Sequence, residues 1–135
     1  MKFGKVRHTG FVVQDIEKTI SFYQDSFGAT ATPVTTNQDM GIKMALVELG
    51  ETLLELFAPV ASPPAGSRGH TLQQLINTRG EGITHLAVNV DDIEATLREL
   101  EQKGITPMDR VSRPSSYPGC SRIAYVNPQM ELCQS

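Results

Sequence analysis

The stretch RHTGFVVQDIEKT (Arg7–Thr19) recurs in altered form as THLAVNVDDIEAT (Thr84–Thr96). Each copy places a histidine at its second position, continues through apolar residues that favour a strand, and ends in an Asp-Ile-Glu string that favours the start of a helix. An offset of 77 residues superposes His8 on His85. The repetition indicates that the chain contains two modules of similar structure.

The first module is predicted to have the order βαβββ. A strand over Lys5–Val13 precedes a helix that Asp15 caps and Gly28 ends. A carboxylate suits the helix N-cap, and glycine suits the left-handed residue that ends a helix. Three extended stretches separated by turn-forming residues follow, Ala29–Thr36, Ile42–Leu49 and Thr52–Val60.

The second module is predicted to repeat this order, with a strand, a helix and three further strands over Gly82–Val90, Asp91–Lys103, Ile105–Ser112, Ser121–Asn127 and Met130–Gln134. A Pro/Gly/Ser-rich stretch and a short helix, Thr71–Asn77, separate the two modules. We therefore expect one domain of the α+β class over residues 1–135. Module 1 covers about residues 1–60, the linker and short helix about 61–80, and module 2 about 81–135.

Composition excludes several classes of function. The net charge is only −3 and no basic run occurs, which argues against nucleic acid as a partner. No stretch approaches the roughly 20 apolar residues of a membrane span. Cys120 and Cys133 have neither metal-site nor disulfide-framework spacing, which favours a reducing compartment, and the N-terminus lacks the apolar run of a signal peptide. These features predict a cytoplasmic protein.

Two histidines and two glutamates occupy matching places in the modules. His8 and His85 lie in the first strands, and Glu55 and Glu131 lie in the last strands among apolar neighbours. Taken singly, each histidine is more often a core residue and each glutamate more often faces solvent. An unpaired buried carboxylate costs several kcal/mol, however, so a partner is required if both glutamates are buried. Two imidazoles and two carboxylates suit a divalent transition metal, namely Co, Mn, Ni, Zn or Fe.

Paired βαβββ modules with this histidine and glutamate pattern resemble the vicinal oxygen chelate superfamily. Within it, the segments RGEGITHLAVNVDDIEATLRELEQKGI (Arg79–Ile105) and RIAYVNP (Arg122–Pro128) are similar to segments of methylmalonyl-CoA epimerases. The resemblance implies tandem modules whose curved mixed sheets surround a metal held by His8, Glu55, His85 and Glu131. It also implies a homodimer, and an isomerase that removes a proton next to a carbonyl of a small 2-substituted acyl thioester, with Glu131 or Glu55 as the base.

The chain departs from the epimerase pattern in two places. Met44 stands where the epimerases carry a glutamate proposed to act as an acid or base, so Lys43, Asp39 or a water molecule would have to replace it. The turn before the last strand is shortened to Gln129–Met130. The shortened turn puts the register of that strand in question.

Two other reactions or roles remain open on the sequence. A glyoxalase I-type lactoylglutathione lyase uses the same set of four ligands, and resistance-type members of the superfamily bind small molecules without catalysis. Lys43 and Arg122 are candidate contacts for an anionic substrate. The turn-rich segment Pro114–Arg122 either covers the site or connects two strands.

Overall fold

A computed structural model describes all residues of the chain, Met1 to Ser135. The chain forms three helices and nine strands: β1 (Phe3–Val12), α1 (Ile16–Phe27), β2 (Thr30–Ala31), β3 (Thr35–Asn37), β4 (Ile42–Leu49), β5 (Thr52–Pro59), α2 (Arg68–Arg79), β6 (Gly82–Val90), α3 (Ile93–Gln102), β7 (Arg113–Pro114), β8 (Arg122–Asn127) and β9 (Met130–Gln134). None of the helices has the length and apolar character needed to cross a bilayer. By contacts the chain divides into a terminal unit, residues 1–8 with 85–135, and a central unit, residues 9–84.

The central unit contains α1, α2 and a strand order of β2, β4, β5 and β1, with β3 paired to β4. Helix α1 begins where the sequence predicts, because the Asp15 carboxylate accepts a hydrogen bond of 3.0 Å from the backbone N–H of Lys18. It ends at Gly28, which adopts the left-handed conformation with φ of 67°. Ile16 and Ile20 bury the apolar face of α1 in a core formed with strands β4 and β5.

Helix α2 extends beyond the predicted Thr71–Asn77 at both ends and begins at Arg68. It begins there because Ser67 is its N-cap, whose hydroxyl accepts from the N–H of His70 at 3.2 Å. Its first turn packs directly on the chain before β4, where the N–H of Gly69 donates to the carbonyl of Met40 at 2.8 Å. A Cβ atom at Gly69 would overlap the carbonyl of Gly41. Only glycine fits this approach.

The terminal unit has the strand order β1, β6, β9, β8 and β7. β6 pairs with β9 in parallel and β8 pairs with β9 in antiparallel orientation, which makes the sheet mixed. Helix α3 repeats the cap of α1, since the Asp92 carboxylate accepts from the N–H of Ala95 at 3.0 Å. Its buried side chains Ile93 and Leu97 pack on Leu132 of β9. The predicted α+β class with a mixed sheet is confirmed.

The strand predicted over Ile105–Ser112 is wrong, because this segment forms bends rather than a strand. Pro107 has no N–H to donate to a ladder. Asp109 then binds β8 in a different way: its N–H donates to the carbonyl of Tyr125 at 2.9 Å, and its carboxylate accepts from the N–H of Tyr125 at 2.8 Å. A side chain thus replaces part of the ladder that a regular strand would form.

The two cysteines are not independent, contrary to the expectation from their spacing. A disulfide joins Cys120 to Cys133, whose Cα atoms are 5.7 Å apart, within the usual range for such a bond. Their separation in sequence is 13 residues, and strand pairing rather than a local motif brings them together. The cysteines therefore do not support a reducing compartment.

Candidate metal centre

Three polar side chains of the terminal unit are buried among apolar neighbours. His8 on β1 is 1% exposed, His85 on β6 is 3% exposed and Glu131 on β9 is 5% exposed. Each lies at an inward position of its strand, where alternate residues share a face. Burial of this kind is expensive for ionisable groups unless they are partnered, so the three residues need one another or a ligand.

The side-chain atoms of these three residues converge. The Nε2 atoms of His8 and His85 are 3.3 Å apart, and Nε2 of His8 is 3.4 Å from Oε1 of Glu131. Atoms that bind one first-row metal ion at about 2.0–2.2 Å lie roughly 3.0–3.5 Å from one another. The separations of His8 Nε2 from His85 Nε2 and from Glu131 Oε1 are those of atoms that share such an ion, and nitrogen and carboxylate donors suit it chemically.

The environment of His8 keeps its imidazole neutral. Burial, followed by the nearby charges of His85 and Arg7, lowers the pKa of His8 from 6.5 to about 4. Neutral imidazole is the form that binds metal, because a protonated ring has no free lone pair at the ligating nitrogen. His8 is consequently ready to act as a ligand at neutral pH without losing a proton first.

The shortened turn before β9 does not displace Glu131 from the buried face. A register shift between Tyr125 and Asn127 of β8 lets β9 begin at Met130. Glu131 then pairs with Tyr125 on one side and with Ala87 on the other. A β-bulge admits one extra residue on one strand and preserves the pairing beyond it. The irregularity thus compensates for the short turn.

Two tyrosines that no sequence pattern predicts as site residues lie beside the histidines. The ring of Tyr117 lies 4.1 Å from the ring of His8, between centroids, with an interplanar angle of 32°. The ring of Tyr125 lies 5.7 Å from that of His85 at an angle of 70°. Tyr125 pairs with Glu131 in the hairpin of β8 and β9, but the register shift in that hairpin prevents a prediction of this pairing from the turn alone. Tyr117 lies in an irregular loop, and no periodic pattern points to it.

Glu55 belongs to the central unit, on β5. It is 7% exposed and pairs with Leu46 of β4. Its neighbours Leu54 and Leu56 point to the opposite face and join the core beneath α1. Glu55 therefore turns its carboxylate away from that core, at the position in its repeat that corresponds to Glu131.

The candidate substrate contacts already have partners in the protein. The Lys43 ammonium lies 3.4 Å from the Glu17 carboxylate. The Arg122 guanidinium donates to the carbonyl of Ser112 at 2.8 Å. The hydrogen bond from the Ser112 hydroxyl lowers the pKa of Glu94, so Arg122, Ser112 and Glu94 form one polar network.

Met44 and the two side chains that could replace the missing acid or base, Asp39 and Lys43, have different surroundings. Asp39 is exposed in the turn before β4. Met44 is partly buried on β4 and pairs with Phe57 of β5. A methionine thioether has no proton to exchange, and the Lys43 ammonium beside it is paired with a carboxylate.

Comparison with known proteins identifies the group to which the chain belongs. The sequence pattern of the Glyoxalase/Bleomycin resistance protein/Dioxygenase superfamily matches residues 5–117. The chain belongs to this superfamily. Its fold agrees, because the crystal structure of methylmalonyl-CoA epimerase from Mycobacterium tuberculosis superposes with a TM-score of 0.75 at 27% identity, over 96% of this chain and 87% of that one.

Within the superfamily, the curated relatives include epimerases. The chain is 33% identical over 104 residues to the mitochondrial methylmalonyl-CoA epimerase of Mus musculus, which covers 77% of this chain and 56% of the mouse protein. It is 28% identical to the ethylmalonyl-CoA/methylmalonyl-CoA epimerase of Cereibacter sphaeroides, over 75% of this chain and 72% of that protein. The chain thus spans little more than half the length of its mammalian relative.

Proposed function

We propose that this protein is a metal-dependent epimerase that acts on a small 2-substituted acyl-CoA thioester. The observation that carries the proposal is the convergence of His8, His85 and Glu131 in a buried position of the terminal unit. Membership of the superfamily and similarity to methylmalonyl-CoA epimerases support the reaction class. The name of the C. sphaeroides relative supports a thioester with a short 2-alkyl group.

The proposed metal ligands are His8, Glu55, His85 and Glu131. Two short separations support three of them, since His8 Nε2 lies 3.3 Å from His85 Nε2 and 3.4 Å from Glu131 Oε1. Glu55 is added because it is buried and occupies the same place in its repeat as Glu131. The donor set favours Co, Mn, Ni, Zn or Fe over the oxygen-preferring Ca or Mg.

The ion and the two carboxylates have different roles in the proposed reaction. When bound, the ion supplies positive charge that stabilises the negative charge developing on a carbonyl oxygen as the neighbouring carbon loses its proton. A carboxylate, Glu131 or Glu55, accepts that proton. A second donor on the opposite side, Lys43, Asp39 or a water molecule, then gives a proton to the same carbon, so the thioester keeps its composition and inverts its configuration. The burial of both carboxylates excludes bulk water, which strengthens their electrostatic contacts.

Met44 favours one alternative, a glyoxalase I-type isomerase. Such an enzyme moves a proton between neighbouring carbons of a glutathione hemithioacetal and needs no acid or base at the position of Met44. One base on one face of the substrate is sufficient for that isomerisation, whereas epimerisation also needs a proton donor on the opposite face. The two proposals share the metal centre and differ in substrate, so a comparison of substrates separates them.

The experiment measures hydrogen exchange in the metal-loaded protein. Protein stripped of metal and reloaded with Co(II) is incubated with methylmalonyl-CoA in D₂O, and deuterium at the α-carbon is followed by mass spectrometry. We expect exchange well above the protein-free rate. The Glu131→Gln variant should be at least about 100-fold slower, because a positioned base typically contributes that much or more.

Glu51→Gln is the matched control, because Glu51 is an exposed glutamate in the turn before β5 and should leave the rate unchanged. If the wild-type protein shows no exchange but converts the methylglyoxal–glutathione hemithioacetal, the protein is a glyoxalase I-type isomerase and not an epimerase. Neither activity, with small-molecule binding that needs no metal, would identify a resistance-type binding protein.

One further feature of the proposal comes from the resemblance. We infer a homodimer, since members of the superfamily commonly pair. This stays a prediction. The oligomeric state is measured by light scattering during size exclusion.

A further inference from the structure

We infer that Tyr117 is a positioning residue for His8, whose ring it holds in the orientation that presents Nε2 to His85 and Glu131. The inference rests on the proposed metal function. It goes beyond that function, because it assigns control of a ligand to the loop between β7 and β8.

The ring contact is close and nearly parallel. The centroids of the Tyr117 and His8 rings are 4.1 Å apart and the planes are inclined by 32°. The contact of His8 with His85 is different, since those rings meet edge to face at 88° with centroids 5.4 Å apart. Tyr117 therefore covers the flat side of the imidazole, while the edge that carries Nε2 faces His85 and Glu131.

A flat contact of this kind restricts the one soft torsion of the imidazole. The χ2 angle of histidine has broad, roughly twofold minima, so burial alone does not fix the direction of Nε2. Rotation about this torsion would drive the edge of the ring into the phenol. Tyr117 thus opposes rotations that turn Nε2 away from the other two side chains. Interactions outside the ligand shell commonly fix ligands in this way.

The loop that carries Tyr117 is held at several points. The carbonyl of Tyr117 accepts from the N–H of Cys120 at 3.0 Å, and its N–H donates to the Ser115 hydroxyl at 3.0 Å. The Arg7 guanidinium, next to His8 in sequence, donates to the carbonyl of Pro118 at 3.4 Å. The disulfide of Cys120 then ties the loop to β9, two residues beyond Glu131. The loop is anchored both to the strand of His8 and to the strand of Glu131.

A purely structural role would have a different signature. If Tyr117 only filled space, its loss would lower the stability of the fold and leave the affinity and spectrum of a bound metal unchanged. If Tyr117 positions His8, its loss changes the ligand field of a bound ion even in protein that remains folded. The ring contact is made by the aromatic face and not by the phenol oxygen, so phenylalanine should keep the positioning of His8.

The test is a titration of metal-free protein with Co(II), read by visible absorption and by calorimetry, at a temperature where circular dichroism shows every variant folded. We expect Tyr117→Leu to bind Co(II) at least about 10-fold more weakly, with altered visible bands, as is typical when a residue that orients a ligand is removed. Tyr117→Phe should stay within about twofold of the wild type and keep its spectrum. Tyr23→Leu is the matched control, because the ring of Tyr23 contacts Phe22 and Phe27 of α1.

The outcomes separate this inference from the function on which it rests. Wild-type protein that binds no Co(II) overturns both. Wild-type protein that binds Co(II), with Tyr117→Leu equal to it in affinity and spectrum, overturns the role of Tyr117 alone. Tyr117→Phe as weak as Tyr117→Leu also overturns it, because the ring would then not be the feature that matters. If Tyr117→Leu does not fold, Tyr117→Met decides by the same criteria.

Discussion

At the scale of single residues, the candidate centre holds ionisable side chains close together and away from water. An isolated buried imidazole costs little when neutral, whereas an isolated buried imidazolium loses most of its hydration. His8 and His85 bring their Nε2 atoms to 3.3 Å, where two positive charges would repel strongly. The same geometry that makes protonation unfavourable makes a shared cation favourable. A metal at the proposed centre would therefore compete with a proton for His8, and the low pKa of His8 favours the metal.

The lowered pKa of His8 predicts how the stability of the metal-free protein depends on pH. The pKa is about 4 in the folded chain and near 6.5 in the unfolded chain, so between these values the unfolded state binds the extra proton. The free energy of unfolding should thus rise as the pH increases from about 4 to 6.5, and His8 should contribute about 3 kcal/mol to that rise. Urea denaturation at several pH values, with chelator present, measures it.

The variant His8→Gln isolates this contribution, because glutamine keeps a polar side chain and does not titrate. Its stability should depend less on pH across the same window, whereas His70→Gln, on α2 of the central unit, should follow the wild type. Parallel pH profiles for the wild type and His8→Gln would show that His8 is not the source of the dependence.

At the scale of elements, both modules start their first helix in the same way. Asp15 and Asp92 each accept a hydrogen bond from the backbone N–H three residues later, and each follows a strand that carries a histidine. The cap fixes where the strand must end, and hence the distance from the histidine to the helix. A short local string, Asp-Ile-Glu, thereby places both histidines at equivalent points of the fold.

Removal of either cap should destabilise the fold by a similar amount. We expect Asp15→Ala and Asp92→Ala each to lower the free energy of unfolding by about 1 kcal/mol, since each leaves a helix N–H without its side-chain acceptor. Asp91→Ala is the control, because Asp91 is exposed and immediately precedes the cap. Denaturant unfolding compares the three. A cost at Asp91 equal to that at Asp92 would argue against the caps as the cause.

The parts of the fold that sequence predicts are those specified by local patterns. The strand over Gly82–Val90 forms with the predicted bounds because its alternation and its flanking turn and cap are all local. The strand over Ile105–Ser112 fails because Pro107 has no N–H for a ladder and Asp109 binds β8 through its side chain, a contact that no local period encodes. The disulfide likewise depends on the pairing of β8 with β9, and the position of Tyr117 depends on its contact with His8 of β1, far away in sequence.

The site residues show the same division. His8 and His85 were selected because a repeat makes two weak signals reinforce each other, and each is buried at an inward strand position. The carboxylates were selected by the same comparison. Nothing in the sequence, by contrast, indicates that Lys43 is held by Glu17 and Arg122 by Ser112. Such partners decide whether a cation is available to a substrate, and they are fixed only by the folded chain.

At the scale of the whole molecule, the two repeats contribute equally to the proposed centre, one histidine and one glutamate each. A ligand that binds only the folded chain raises its stability by RT ln(1 + [L]/Kd), which is about 2.7 kcal/mol at 100 times the dissociation constant. For a chain of 135 residues this corresponds to a rise of about 10 °C in the melting temperature. The metal should therefore stabilise the protein by roughly that amount, and chelation should reverse the effect.

Glu55→Gln tests whether the central unit takes part in this stabilisation. At a Co(II) concentration that raises the melting temperature of the wild type by about 10 °C, the variant should gain less than half as much, because it loses one anionic ligand. Glu51→Gln, four residues away in the turn before β5, removes the same charge and should gain as much as the wild type. Differential scanning calorimetry with and without metal measures the rise in melting temperature of each variant. If Glu55→Gln gains as much as the wild type, the ion is held by His8, His85 and Glu131 of the terminal unit without Glu55, and the repeat does not extend to the fourth ligand.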